Sequence, residues 1–166
     1  MVLEVLSYGG GGQSTAMIEL VLDGYLDRPD YVVFADTGSE MPHTYELVEI
    51  MKEKCDKADL PFVTVKADKP LHESYIEKSG LPVVGIRSCT NKWKIEPINR
   101  FMRSKVGMGR RKILATTWIG ITTDERKRAR PSENQWTSRR YPLLEKSMSR
   151  SDCEYYLERK GIVAKK

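Results

Sequence analysis

Nine consecutive residues, Ser7-Tyr8-Gly9-Gly10-Gly11-Gly12-Gln13-Ser14-Thr15, hold the clearest chemical signal in the chain. Glycines let main-chain amides approach an anion closely, and a helix starting just beyond them adds the positive end of its dipole. The run is not a Walker A loop, because no Gly-Lys-Ser/Thr closes it, and Ser14 interrupts a GxGxxG reading. Asp36-Thr37-Gly38 is a second candidate, with Asp36 far enough along to imitate the ribose-binding acid of a dinucleotide fold. Gly120 to Arg128, containing Asp124 and Glu125, is a third. Cys89 lies between Arg87 and Lys92/Lys94, surroundings that favour thiolate, or else it is a half-buried small residue of a ligand loop. Cys153 has acidic neighbours, Asp152 and Glu154, that raise its pKa, and Cys55, near the end of a helix, is expected to be structural. With no CxxC pair or Cys/His cluster, and no partner for His43 or His72 at ligand spacing, no metal site is expected. Trp93, Trp118 and Trp136 could stack a base, although Trp118, within a strand pattern, fits a core better.

These residues need elements to hold them. Val2 to Tyr8 is apolar and β-branched and ends abruptly in glycine, which predicts a buried strand. Ser14 and Thr15 could cap the helix that follows, and Gly24 is a stop. Strands are expected at Asp30–Ala35, Pro61–Val65 and Ile113–Ile121, with a second amphipathic helix running to about Lys57. Leu71–Lys78 reads as a short helix, Gly80–Ser88 as a loop, and Ile95–Lys105 as a helix with Pro97 in its first turn. Arg126 to Arg140 has almost no apolar residues and reads as a mobile basic loop. Tyr141–Leu144 is expected to be extended, and Ser151 to begin a last helix. Alternating strands and helices predict a parallel sheet with right-handed crossovers. In such a sheet ligands bind at the carboxyl ends of strands, where strand order reverses. Each candidate segment falls at a strand end.

Composition agrees with one soluble globular domain: 166 residues, 40% hydrophobic and 31% charged, with 12 Gly and 8 Pro. The whole chain, 1–166, is expected to be that domain. No apolar run approaches the roughly 20 residues of a membrane helix. Nor does Met1–Ser7, with Glu4 and no basic start, resemble a signal peptide. Three widely spaced cysteines fit a reducing cytoplasm. The net charge of +5 conceals an asymmetry. Residues 1–86 carry 7 Lys/Arg against 15 Asp/Glu, a net of −8, whereas residues 87–140 carry 15 against 4, a net of +11. A basic segment this dense expects an anion: phosphate, sulfate or nucleic acid, unless it is simply a solvated face.

Taken in order, five blocks resemble the phosphoadenosine phosphosulfate (PAPS) reductase family of the adenine nucleotide alpha-hydrolase superfamily, especially its phage and bacterial members. The blocks are Ser7–Thr15, similar to the pyrophosphate loop SxSGGKDST; Asp36–Pro42; Cys89-Thr90 with Lys94, Ile95 and Pro97; Gly120–Glu125 with Arg128; and Tyr141–Glu145. The resemblance implies a single-domain α/β, Rossmann-like parallel-sheet sandwich that binds an adenine nucleotide, ATP or a sulfonucleotide. It places Ser7, Gly9, Gly10, Gly11, Gln13, Ser14 and Thr15 around a phosphate or sulfate, and Asp36, Thr37 and Gly38 beside the adenosine. Thr90 and Lys94 would line the anion side, and Gly120, Asp124, Glu125 and Arg128 would close the site, with Cys89 and Arg128 as the catalytic candidates. Residues 1–86 form the glycine-loop half and 87–166 the basic half.

Departures from the family pattern narrow the chemistry. Gly12 replaces a lysine that stabilises transferring phosphate, and Gln13 replaces a carboxylate that helps to hold magnesium. This weakens ATP pyrophosphate cleavage and tilts toward the sulfonucleotide branch, with Mg²⁺ still compatible with the ligand. Ser88 precedes Cys89 where some relatives have a cysteine pair, and the sequence ends where many continue into a Cys-rich tail. Three isolated cysteines do not supply an ordinary four-cysteine iron–sulfur cluster. Three readings follow: a sulfonucleotide-type enzyme using a thiol reductant or partner protein, a binding module without turnover, and an enzyme modifying a nucleic acid.

Overall fold

The computed structural model describes residues 1–68, 91–108 and 112–164. The expected helix at 71–78, the loop at 80–88, and both Cys89 and Thr90 lie outside the described residues. Three apolar runs form parallel strands, β1 (Leu3–Tyr8), β2 (Tyr31–Asp36) and β3 (Phe62–Lys66), each within a residue or so of its expected bounds. They are joined by α1 (Gly12–Leu22) and α2 (Pro42–Lys57). A five-residue π-type turn, Asn91–Ile95, leads into α3 (Glu96–Val106), whose Pro97 sits in the first turn, where a missing N–H costs nothing. β4 (Ala115–Trp118) is followed by a 3₁₀ segment, Thr123–Arg128, then β5 (Thr137–Arg140), α4 (Pro142–Glu145) and α5 (Arg150–Arg159).

All pairings are parallel and the sheet order is β3-β2-β1-β4-β5. The order reverses at β1, which has β2 on one side, with Val5 opposite Tyr31, and β4 on the other, with Leu3 opposite Ala115. Burial on both faces explains the near-continuous apolar character of β1 and β2. Alternate residues face opposite layers. Leu6, Tyr8, Val32, Phe34 and Trp118 pack under α1, α2 and α5, and Val5, Val33, Ala35 and Ala115 pack under Ile98 and Met102 of α3, joined by Trp136.

Three expectations change. Arg126–Arg140 is not one mobile loop: it holds a 3₁₀ segment and edge strand β5. A strand of sequence Thr-Ser-Arg-Arg has no apolar alternation to betray it, and β5 forms because β4 offers a free edge. Arg140 then stacks on Trp118, 4.6 Å from the ring centroid, and pairs with Glu145 and Asp27. Pro142–Glu145 is a helical turn rather than extended, with Pro142 at its start. Finally, α1 starts before Ser14 and Thr15, with Gly11 as N-cap. The two hydroxyls bond back to the Gly11 carbonyl, at 3.1 and 2.9 Å, instead of capping the helix.

Candidate functional site

Parallel order with a reversal at β1 opens a crevice at the carboxyl ends of β1 and β4. The glycine loop forms one lip. Gly10 has φ +71°, and a Cβ there would lie 2.5 Å from Thr44 Cγ2 at the start of α2, so only glycine fits. The Gly9 N–H donates to Ser14 Oγ at 3.3 Å, and the Tyr8 and Thr15 hydroxyls are 3.2 Å apart. These bonds fix the loop against the first turn of α1. No side chain caps that turn and it contains no acidic residue, so its leading amides point out of the helix end beside the loop.

Gly120, just beyond β4, forms the opposing lip. A Cβ on it would come within 3.1 Å of Ser14 N and 3.3 Å of the Gln13 carbonyl carbon. Glycine at 120 therefore lets the β4 exit press against the start of α1.

The turn after β2 is a closed network. Asp36 Oδ1 accepts from the Gly38 N–H and the Tyr45 hydroxyl, both at 2.8 Å, and Lys66 Nζ lies 3.2 Å from Oδ2. Burial pulls the Asp36 carboxyl up, but these three donors outweigh it and hold the group below the usual aspartate range. Thr37 donates to Glu40 at 3.0 Å, and Lys94 reaches the same carboxylate oxygen at 3.2 Å, which fastens the π-type turn to this loop.

The structure thus gathers Ser7, Gly9, Gly10, Gly11, Gln13, Ser14, Thr15 and Gly120 at the switch point, with Asp36, Thr37, Gly38 and Lys94 along the β2 side. It turns other candidates to different partners. Asp124 accepts the Arg150 backbone N–H at 2.6 Å and so braces the start of α5. Glu125 and Arg128 pair with each other at 2.5 Å on the exposed 3₁₀ segment. Trp93, Trp118 and Trp136 are all buried, which leaves none of their faces open for stacking. Cys55 and Cys153 are buried, and desolvation pushes each thiol up to about 12. Sequence reasoning missed Thr44, Tyr45 and Lys66. Their only trace was position: the first turn of the helix after the Asp36 loop, and the end of the neighbouring strand.

Two cavities flank the loop. One, of about 300 Å³, separates the first turn of α1 from α5 and the segment Ile162–Ala164. A side chain at Gly12, where the resembled loop carries lysine, would start 3.7 Å from Ala164 Cβ. The other, of about 260 Å³, lies on the α3 face of β1, β4 and β5. Among the described residues no three His, Cys, Asp or Glu side chains converge as a metal site, and no helix is long and apolar enough to cross a membrane.

A parallel sheet of this order, with an uncapped glycine-led helix at its switch point, defines a Rossmann-like domain. The model of the phosphoadenosine phosphosulfate reductase domain matches residues 4–146, and the chain belongs to that family. A phosphoadenylyl-sulfate (PAPS) reductase from Candida auris, solved as a phosphate complex, has the same fold, with a TM-score of 0.67 at 12% identity over 99% of this chain and 75% of that one. An uncharacterized nin region protein, ORF290, of Escherichia phage lambda is 29% identical over 156 residues, 78% of this chain and 51% of the relative. The chain therefore spans about half the length of that relative.

Proposed function

We propose that this domain binds an adenine nucleotide, of the ATP or sulfonucleotide type, and acts on its phosphate or sulfate end at the glycine loop. The observation that carries this reading is the uncapped start of α1, whose free amides meet the Gly9–Gly12 loop and Gly120 at the strand-order reversal. Backbone amides and a helix dipole favour a negative ligand without any side-chain charge, which suits a loop that lacks the lysine of its relatives. Family membership supports a nucleotide as the ligand. Gly12 and Gln13 favour the sulfonucleotide branch over ATP cleavage, and Mg²⁺, if used, would arrive with the phosphates. Cys89 is the candidate thiol for a reductive step on the sulfate end, with a thiol reductant as co-substrate.

Thermal shift assays with ATP, adenosine phosphosulfate and its 3′-phosphorylated form, with and without Mg²⁺, test the binding claim. At least one should raise the melting temperature, and silence from all of them would sink it. Turnover of the bound sulfonucleotide with a thiol reductant, abolished by Cys89→Ser, would establish catalysis. Binding without such turnover would leave a nucleotide-binding module.

A further inference from the structure

The peptide joining Gly11 to Gly12 has glycine on both sides, at the point where the chain turns into α1. A trans peptide is planar, so its carbonyl and its N–H point in opposite directions. The Gly11 carbonyl is turned into the helix, where it accepts the Thr15 N–H at 3.0 Å, and the Gly12 N–H therefore faces out of the helix end. With this plane reversed, a carbonyl oxygen would meet an incoming anion instead. The reversal turns ψ of Gly11 and φ of Gly12 by about half a turn, and only glycine enters the resulting positive φ freely. A lysine at position 12, as in the resembled loop, would itself bar that turn, and Gly12 removes the bar.

Two chains of donors converge on the Gly11 carbonyl. In one, the Gly9 N–H donates to Ser14 Oγ at 3.3 Å, and Ser14 Oγ donates to the carbonyl at 3.1 Å. In the other, Thr15 Oγ1 donates to the same oxygen at 2.9 Å, and the Tyr8 hydroxyl lies 3.2 Å from Thr15 Oγ1. The single hydroxyl proton of Thr15 is committed to the carbonyl, so Tyr8 donates to Thr15 and both bonds run one way. Tyr8 and Thr15 are 1% and 0% exposed, so both act from behind the loop rather than on a ligand. The Tyr8 ring packs against Phe34 and Phe62, with centroids 6.1 and 5.9 Å away. Burial pushes its phenol up to about 12, which keeps the donor proton in place at neutral pH.

We infer that Tyr8 and Thr15 are positioning residues of the anion site, whose hydroxyl chain locks the Gly11–Gly12 peptide with the Gly12 N–H toward the anion. This rests on the nucleotide reading above. Tyr8 stands at the unspecified second position of the loop pattern SxSGGKDST. Thr15, which the resemblance places around the phosphate, works through the Gly11 carbonyl instead.

The test is calorimetric titration of inorganic phosphate, ATP, adenosine phosphosulfate and its 3′-phosphorylated form. The titrated proteins are wild type, Tyr8→Phe, Thr15→Val, Thr15→Ser and the double variant Tyr8→Phe/Thr15→Val. Thr15→Val should weaken whatever the wild type binds about tenfold, the scale of one net hydrogen bond, and Thr15→Ser should restore it to within about twofold. Tyr8→Phe should weaken binding about threefold by itself and add nothing in the Thr15→Val background, where the chain is already cut. Circular dichroism melts check folding, and if Thr15→Val does not fold, Tyr8→Phe alone decides. Unchanged affinity in Thr15→Val or in Tyr8→Phe, a Thr15→Ser as weak as Thr15→Val, or additive losses in the double variant would overturn the lock and leave the nucleotide reading standing. A wild type that binds none of the four compounds would overturn both.

Discussion

Gly10 is the residue on which the proposed anion site turns, because it combines a left-handed φ of +71° with Thr44 Cγ2 only 2.5 Å from where a Cβ would sit. Gly10→Ala should destabilise the fold by about 2 kcal/mol, from backbone strain plus overpacking, and should abolish ligand binding. Adding Thr44→Ser, which removes the clashing methyl, should restore part of the stability in urea denaturation but not the part owed to φ. Asp36 carries a pH signature. Its folded pKa lies below the ordinary 3.8, so its contribution to stability is complete above that value and fades as pH falls through the depressed one. Asp36→Asn should therefore flatten the acid limb of a stability-against-pH curve and leave its slope above pH 5 unchanged. The cysteines divide by burial. Cys55 and Cys153, with thiols pushed up to about 12, should resist iodoacetamide at pH 8 in the native state, as mass spectrometry of digests would show. Rapid labelling of either would contradict the burial described.

At the scale of elements, α1 and α5 begin in opposite ways, and the contrast separates the proposed ligand end from a structural end. Ser149 caps α5 with a full capping box: its hydroxyl accepts from the Asp152 N–H, and the Asp152 carboxylate accepts from the Ser149 N–H. Asp124 takes the Arg150 N–H, so the helix start is well satisfied. Ser149→Ala should cost about 1 kcal/mol in melting experiments and leave nucleotide affinity unchanged. A loss of affinity in that variant would mean that α5 shapes the cradle directly. The start of α1 has no such cap, and its orphan amides are the working part of the proposed site. Ser149, three residues before Asp152, could have been recognised as a cap, whereas Ser14 and Thr15 mislead, because their hydroxyls serve the Gly11 carbonyl. β5 was illegible for a different reason. Its formation depends on a free edge of β4 and on Arg140 finding the Trp118 face, and neither is a property of the local sequence.

Across the whole molecule, Glu19 links the elements that hold the loop. It is buried in α1 and receives Lys54 of α2 at 2.7 Å and Lys160, beyond α5, at 2.8 Å, and Lys160 also pairs with Asp23. Glu19→Leu should destabilise by about 1–3 kcal/mol, less than for a sealed ion pair, because both lysines retain access to water. These ion pairs tie the loop helix, the Thr44 helix and the residue following α5 to one another. Sequence alone determined the local parts: three strands from apolar runs bounded by breakers, four helices from their spacing and boundaries, and a glycine-rich loop between the first strand and helix. Those signals are short-range, since chain stiffness, side-chain period and backbone freedom act within a few residues. Only the tertiary structure decided that the order reverses at β1, that Gly120 closes on Ser14, and that Asp124 braces a helix. The same holds for the cavity on the α3 face, which Ser7, Asn99 and Thr117 line together. Each of these depends on contacts between residues far apart in the chain, which form only once the sheet has chosen its neighbours.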